Sequence, residues 1–278
     1  MVFWGSDYNA LETHVGAIIT HDEALRKILL DGYDSHSMYT AVYFADELKE
    51  RGLPYGEGIT VEESFIIKEE ASDLRQASKS VTFALQYGGS HITVAKSLGC
   101  DMDKAKGIVE AYHKLHKGVR AYYDKKTEFA EQHGYYLIET GLKLRAPGLQ
   151  SLDDVIVGST MRSAENALIQ GFGMLTVSAM TRLQHLIESE GDVDKVHITL
   201  TIHDAIYGYC ADDVETIAWL NKTLIKCMVE DFYANQDIKL KAELDIGYSW
   251  KQQKTLSNNA SNEDIAELLQ ECKEELSE

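Results

Sequence analysis

Residues 195–210 read KVHITLTIHDAIYGYC, a clear strand signal. Val196, Ile198, Leu200 and Ile202 alternate with His197, Thr199, Thr201 and His203, a period of two that predicts a β-strand with one buried face. Apolar residues resume at Ile206 and Tyr207, so the strand is expected to turn near His203-Asp204 and return as a hairpin. Two other strand signals stand far off in sequence. Val2-Phe3-Trp4 runs into Gly5-Ser6-Asp7, and IKLKAELDIGYSW (238–250) follows a helix expected at about 212–233.

Between these strands the pattern is mostly helical, with only Pro54 and Pro147 to punctuate it. Asn9 followed three residues later by Glu12 marks a capping box, ahead of an apolar face made by Leu11, Val15, Ile18 and Ile19. The same periodicity predicts helices at about 36–50, 70–88, 102–133 and 160–190. After Trp250 the composition shifts to Gln, Asn, Ser and Glu. Residues 252–278 carry seven acids against two lysines and are expected to form a solvated, partly helical acidic tail.

A chain of 278 residues that is 44% hydrophobic and 26% charged can bury the core of one large domain or two small ones, which rules out disorder, collagen and coiled-coil arrays. Cys100, Cys210, Cys227 and Cys272 are too scattered for a zinc site of paired thiols or a dense disulfide framework, so a reducing cytoplasm is the expected compartment. The amino terminus has no basic stretch and no run of 18 apolar residues occurs, so neither secretion nor a membrane span is expected. Lys and Arg number 27 against 45 Asp and Glu, a formal charge of −18 that argues against holding nucleic acid by charge alone. The imbalance is uneven: between Lys68 and Arg145 there are 13 basic and 10 acidic residues, so a phosphate-facing surface is expected in the helical middle.

Two constellations could carry chemistry. In RQASKSVTFALQYGG, Arg75, Lys79, Phe83 and Tyr87 recur every four residues and form one stripe along a helix that stops at Gly88-Gly89. Cations one turn apart can grip a polyphosphate and the aromatics can stack on a base; the bland alternative is a core edge flanked by solvated cations. The second is a pair of acids at strand ends, Asp7 and Asp204, which could bridge two magnesium ions or be ordinary turn aspartates. Glu12 has its bland role in the capping box, and His36 could be an exposed loop histidine.

In order, Asp7-Tyr8-x3-Glu12, Asp34-x-His36, Arg75-x3-Lys79-x3-Phe83-x3-Tyr87-Gly88 and His203-Asp204 resemble motifs A, B and C of family A DNA polymerases, the DNA polymerase I family. Gly134-Tyr135 through Thr140-Gly141 to Arg145-x-Pro147, Arg162-x3-Asn166-x3-Gln170-Gly171 and Gly247-x2-Trp250 are similar to weaker family segments in the same order. The resemblance covers nearly all of residues 1–251.

It implies an α+β fold in which a helical fingers region is inserted into a small antiparallel palm sheet: palm at 1–20, fingers at 21–149, palm again at 150–251, then the acidic tail. It also implies template-directed phosphoryl transfer from a deoxynucleoside triphosphate to a primer 3′-hydroxyl. Asp7, Asp204 and the Tyr8 carbonyl would hold two Mg2+ ions; Arg75, Lys79 and His36 would hold the triphosphate. Phe83 and Tyr87 would line the sugar and base site, with Tyr87 and Glu12 excluding a ribose 2′-hydroxyl. Arg162, Asn166, Gln170 and His203 would contact primer-template DNA.

The sequence departs from the family pattern. Ala205 replaces the usual Glu of His-Asp-Glu, His14 stands where an arginine is usual, and the interval from His36 to Arg75 is long, which implies an insertion around residues 45–70. The family's thumb, exonuclease domain and first palm strands lie before motif A. A separate chain is therefore expected to supply them, an arrangement that points to a bacteriophage genome and to the host cytoplasm. The rival expectations are a non-catalytic remnant that binds DNA or a replication partner, and a metal-dependent phosphohydrolase that would leave the Arg75 stripe unexplained.

Overall fold

The computed structural model describes residues 1–278 except 87, 172, 191–192, 231–236 and 277–278, and the side chain of 276. Strand β1 (Val2–Tyr8) leads into helices α1 (Leu11–Thr20), α2 (Glu23–Asp31), α3 (Ser35–Tyr43), α4 (Ala45–Glu50), α5 (Val61–Glu70) and α6 (Ser72–Gln86). There follow α7 (His91–Leu98), α8 (Met102–Leu115) and α9 (Lys117–His133), then a short hairpin of β2 (Tyr135–Leu137) and β3 (Lys143–Arg145). A 3-10 turn at Pro147–Gln150 precedes α10 (Asp154–Gln170) and α11 (Gly173–Ser189). The chain closes with β4 (Val196–Ile202), β5 (Ala205–Cys210), α12 (Val214–Val229), β6 (Ala242–Ser249), β7 (Gln252–Leu256) and α13 (Asn262–Leu276).

These elements form two compact units. Met1–Glu12 with Phe172–Glu278 make a sheet unit, and Thr13–Gly171 make a helical unit inserted between its halves. The fold is therefore α+β, a helical region inserted into a small antiparallel sheet.

In the sheet unit the strand order is β4-β5-β1-β6-β7, all neighbours antiparallel. β1 is central and covered on both faces, with Val2 and Trp4 fully buried, so its near-continuous apolar run suits it. Close packing explains Gly208: a Cβ there would come 2.0 Å from the His197 carbonyl and 2.4 Å from the Trp4 ring. β4 behaves differently from the expectation of one buried face. Val196 is buried, but Leu200 and Ile202 are 39% and 42% exposed, because β4 is an edge strand whose register shifts between Ile198 and Leu200.

The segment after Trp250 is also more than a solvated appendage. β7 pairs with β6, and α13 buries Ile265, Leu269 and Cys272 while turning its acids outward. Spacings of four and three residues put those three side chains on one helical face.

The helical unit packs around Tyr39, Tyr43, Phe44, Leu48, Ile67, Val81, Leu85 and Tyr112. Helix starts are set by capping aspartates: Asp22, Asp34 and Asp101 accept backbone N–H groups of Leu25, Ser37 and Lys104. The long helices expected at 36–50 and 102–133 are each broken once, at Phe44 and at His116. Within the expected insertion, α5 carries a full capping box from Thr60 and Glu63. By contrast, α1 begins at Leu11. The Asn9 N–H that a capping-box Glu12 would take is donated to the Lys241 carbonyl at 2.8 Å, so Asn9 continues the sheet instead. Among the described residues no helix is long and apolar enough to cross a membrane.

Candidate active site

In the sheet unit, strand register brings the two acids together. β4 and β5 pair up to Ile202 and Ala205, which leaves His203-Asp204 as a two-residue turn, with His203 at φ 55°. β5 pairs with β1 through Ile206 and Ser6, so Asp7 is the next residue beyond that pair, on the side of the turn. Burial raises the Asp204 pKa and the Asp7 charge raises it further, to about 6. Glu12 adds negative potential at the same place.

The Tyr8 backbone is aimed by the same ladder. Because the Asn9 N–H bonds to β6, the antiparallel alternation makes Asp7 and Asn9 the residues joined to that strand. The N–H and C=O of Ser6 and Tyr8 then point to the β5 side, and pairing with β5 stops at Ser6. The Tyr8 carbonyl thus faces the end of the hairpin, while its ring is 4% exposed.

Two carboxylates that repel one another suit a divalent cation, and the facing carbonyl oxygen adds a third hard donor. Among the described residues no group of three or more His, Cys, Asp or Glu is arranged to hold a metal. Ala205 bears on that count, since it is 3% exposed and brings no carboxylate where the family resemblance has one.

In the helical unit, α6 carries Arg75, Lys79 and Phe83 as the expected stripe. Tyr87 lies outside the described residues. His36, in the first turn of α3, sits edge-on to Phe83 with ring centroids 5.7 Å apart, and the Lys79 ammonium is 6.0 Å from the Phe83 centroid. Burial lowers the His36 pKa, and Arg75 and Lys79 lower it further, to about 4, so His36 is neutral at pH 7. The buried Ser78 hydroxyl lies 2.9 Å from the His36 carbonyl and 2.8 Å from the Thr40 hydroxyl, fixing α3 against α6.

One partner escaped sequence reasoning. The Arg75 Nε and Nη2 donate to the two carboxylate oxygens of Asp34, each at 2.8 Å. Asp34 was visible only as part of Asp34-x-His36, and the local signal was its capping of Ser37, three residues on.

On α10, Arg162, Asn166 and Gln170 follow at four-residue intervals; Arg162 and Gln170 are exposed and the Asn166 Oδ1 is buried without a hydrogen-bond partner. Arg162 also lines a cleft of about 230 Å³ with Gly88, Gly89, Arg120 and Glu165. Burial raises the Glu165 pKa.

The family model described as DNA polymerase family A matches residues 58–252, a span that includes Arg75, Lys79 and the His203-Asp204 turn. The chain belongs to DNA polymerase family A. DNA polymerase I of Chloroflexus aurantiacus is 26% identical over 262 residues, covering 92% of this chain and 24% of the relative. DNA polymerase I of Streptococcus pneumoniae is 30% identical over 208 residues, covering 74% of this chain and 21% of the relative. DNA polymerase theta of Drosophila melanogaster is 25% identical over 261 residues, covering 91% and 11%. The fold is that of the POL domain of Pol1 from M. smegmatis, solved with DNA primer-template and dNTP: TM-score 0.75, 24% identity, 90% of this chain and 40% of that one. This family A chain thus spans about a quarter or less of the length of these curated relatives.

Proposed function

We propose that the sheet unit is the palm and the helical unit the fingers of a DNA-directed DNA polymerase, and that the chain carries out nucleotidyl transfer from a dNTP to a primer 3′-hydroxyl. One observation carries this reading: in a family A fold, Asp204 lies in the β4–β5 turn and Asp7 at the end of the neighbouring β1, near enough for the Asp7 charge to raise the Asp204 pKa. Asp7, Asp204 and the Tyr8 carbonyl would hold two Mg2+ ions. When bound, the metal neutralises charge on the phosphates and activates the attacking oxygen.

The chain's own side chains then have distinct work. Arg75 and Lys79 bind the triphosphate, and neutral His36 adds a hydrogen-bonding ring nitrogen without competing charge. Phe83 offers an apolar surface beside Lys79 for sugar and base, while Glu12 and Tyr87 select against ribose. Arg162, Asn166, Gln170 and His203 touch primer and template. Positioning of this kind accounts for much of phosphoryl-transfer catalysis.

We further propose that a second polypeptide, in a bacteriophage genome and acting in the host cytoplasm, supplies the thumb and exonuclease parts. The net charge of −18 supports this, since duplex affinity rests on basic contacts to phosphate. The test is primer extension by residues 1–278 with and without the product of the adjoining reading frame, at two salt concentrations. Extension that needs the second chain and weakens with salt is expected; processive extension by this chain alone would overturn the split. A second reading, a DNA- or partner-binding remnant, is favoured by Ala205. It predicts that no added chain restores synthesis.

A further inference from the structure

Arg75 has two hydrogen-bonding edges, and the Asp34 pair uses only one of them. The carboxylate takes Nε and Nη2, the side edge of the guanidinium, at 2.8 Å each, which leaves the end edge formed by Nη1 and the second Nη2 hydrogen outside the pair. Asp34 is itself held rigidly. Its Oδ1 accepts the Ser37 N–H at 2.9 Å and the Ser37 hydroxyl at 2.7 Å, and its side chain is 11% exposed. A long flexible cation is therefore anchored at two points to a fixed acceptor at the start of α3, one turn of α6 away from Lys79 and beside His36.

We propose that Asp34 is a positioning residue for triphosphate recognition: it clamps Arg75 by the side edge and so presents the end edge to the anion. This rests on the reading of Arg75 and Lys79 as a phosphate site. The physical advantage is that the ordering of the arginine is settled before the ligand arrives, so less rotamer entropy is lost on binding. The opposite possibility has its own signature. If Asp34 merely competed with phosphate for the guanidinium, removing its charge would strengthen binding.

The test measures affinity of residues 1–278 for inorganic tripolyphosphate by calorimetry, with folding checked by circular dichroism. Asp34→Asn keeps a good helix cap for α3 but loses the charged two-point acceptor. It should weaken binding about fivefold, and Arg75→Ala about tenfold or more. The double variant should bind no worse than Arg75→Ala, because Asp34 acts only through Arg75. A purely structural role for Asp34 would instead make the two losses multiply.

Arg75→Lys gives an independent reading, since an ammonium keeps the charge but cannot be gripped on a side edge. It should bind about as weakly as Arg75→Ala. Parent-like binding by Arg75→Lys, unchanged or tighter binding by Asp34→Asn, or multiplicative losses would each overturn the clamp while leaving the phosphate site standing. Absence of tripolyphosphate binding by the parent chain would overturn the phosphate-site reading and the clamp together.

Discussion

The Asp22 carboxylate and the His116 imidazole form a buried pair, with Nδ1 3.0 Å from Oδ1 and side chains 2% and 1% exposed. The same carboxylate accepts the Leu25 N–H at the start of α2 and the Gly118 N–H at the start of α9, so one side chain caps two helices. There is no room to spare: a Cβ on Gly118 would come 2.7 Å from the Asp22 backbone. The break between α8 and α9 at His116 is thus a joint fixed by Asp22.

Asp22→Asn should destabilise the helical unit by about 2–4 kcal/mol, since an amide cannot accept from all of these donors and its NH2 would oppose one of them. The pH dependence follows from the lowered pKa of Asp22. Burial works to raise it, but hydrogen bonds from His116, Leu25 and Gly118 outweigh that effect. A depressed carboxylate stabilises the fold above its unfolded pKa and loses that contribution as pH falls through the folded value. Urea unfolding of the parent should weaken steeply below about pH 4, the ordinary carboxylate range, and Asp22→Asn should flatten that part of the curve. Parallel curves would exclude Asp22 as its source.

Asp204 should behave in the opposite sense. Its pKa is raised by burial and by Asp7 to about 6, so the folded state loses stability as pH rises from the unfolded value through that range. Asp204→Asn should therefore raise the Tm of the metal-free protein at pH 7.5, with the gain shrinking towards pH 4. The same variant should abolish nucleotide addition. A Tm at or below that of the parent at pH 7.5 would show that the two acids do not repel in solution.

Lys79→Ala tests the proposed phosphate-binding role of the α6 stripe. A charge-assisted contact to phosphate is worth about 1.5–3 kcal/mol, so the apparent KM for dNTP should rise and turnover fall by a combined factor of roughly ten to a hundred. If only the affinity for DNA changed, Lys79 would serve the template instead.

The hairpin, its turn at His203-Asp204 and the stripe Arg75, Lys79, Phe83 were all readable, because each is a short-range period that a strand or helix converts directly into a face. What stayed hidden was long-range. The grip of Asp34 on Arg75 spans 41 residues and that of Asp22 on His116 spans 94, and no periodicity encodes such a pair. Exposure of Leu200 and Ile202 was hidden for a related reason: alternation reveals that a strand has an apolar face, but whether anything covers it depends on its place in the sheet. The breaks at Phe44 and His116 are set by packing and by Asp22, so a continuous helical period ran through both. In the last segment the acidic composition predicts a solvated tail, whereas the spacing of Ile265, Leu269 and Cys272 encodes the buried face.

Leu256, Ile265, Leu269 and Cys272 are each 5% exposed or less, buried by β7 and α13 in the sheet unit. Full burial of one such apolar side chain stabilises by roughly 1.5–3 kcal/mol, so the four together rival the whole stability of a typical domain. Deleting residues 252–278 would remove them and also unpair the outer side of β6, leaving an open strand edge prone to association. Ile265→Ala alone should cost about 2–5 kcal/mol in urea unfolding. Replacing the outward acids Glu263, Glu267 and Glu274 by Gln should cost less than about 0.5 kcal/mol each, since exposed charges away from a packed contact contribute little. If Ile265→Ala proved as mild as the Gln variants, α13 would be an appendage after all; the expected contrast would make it part of the sheet unit, needed for the sheet that holds Asp7 and Asp204 in register.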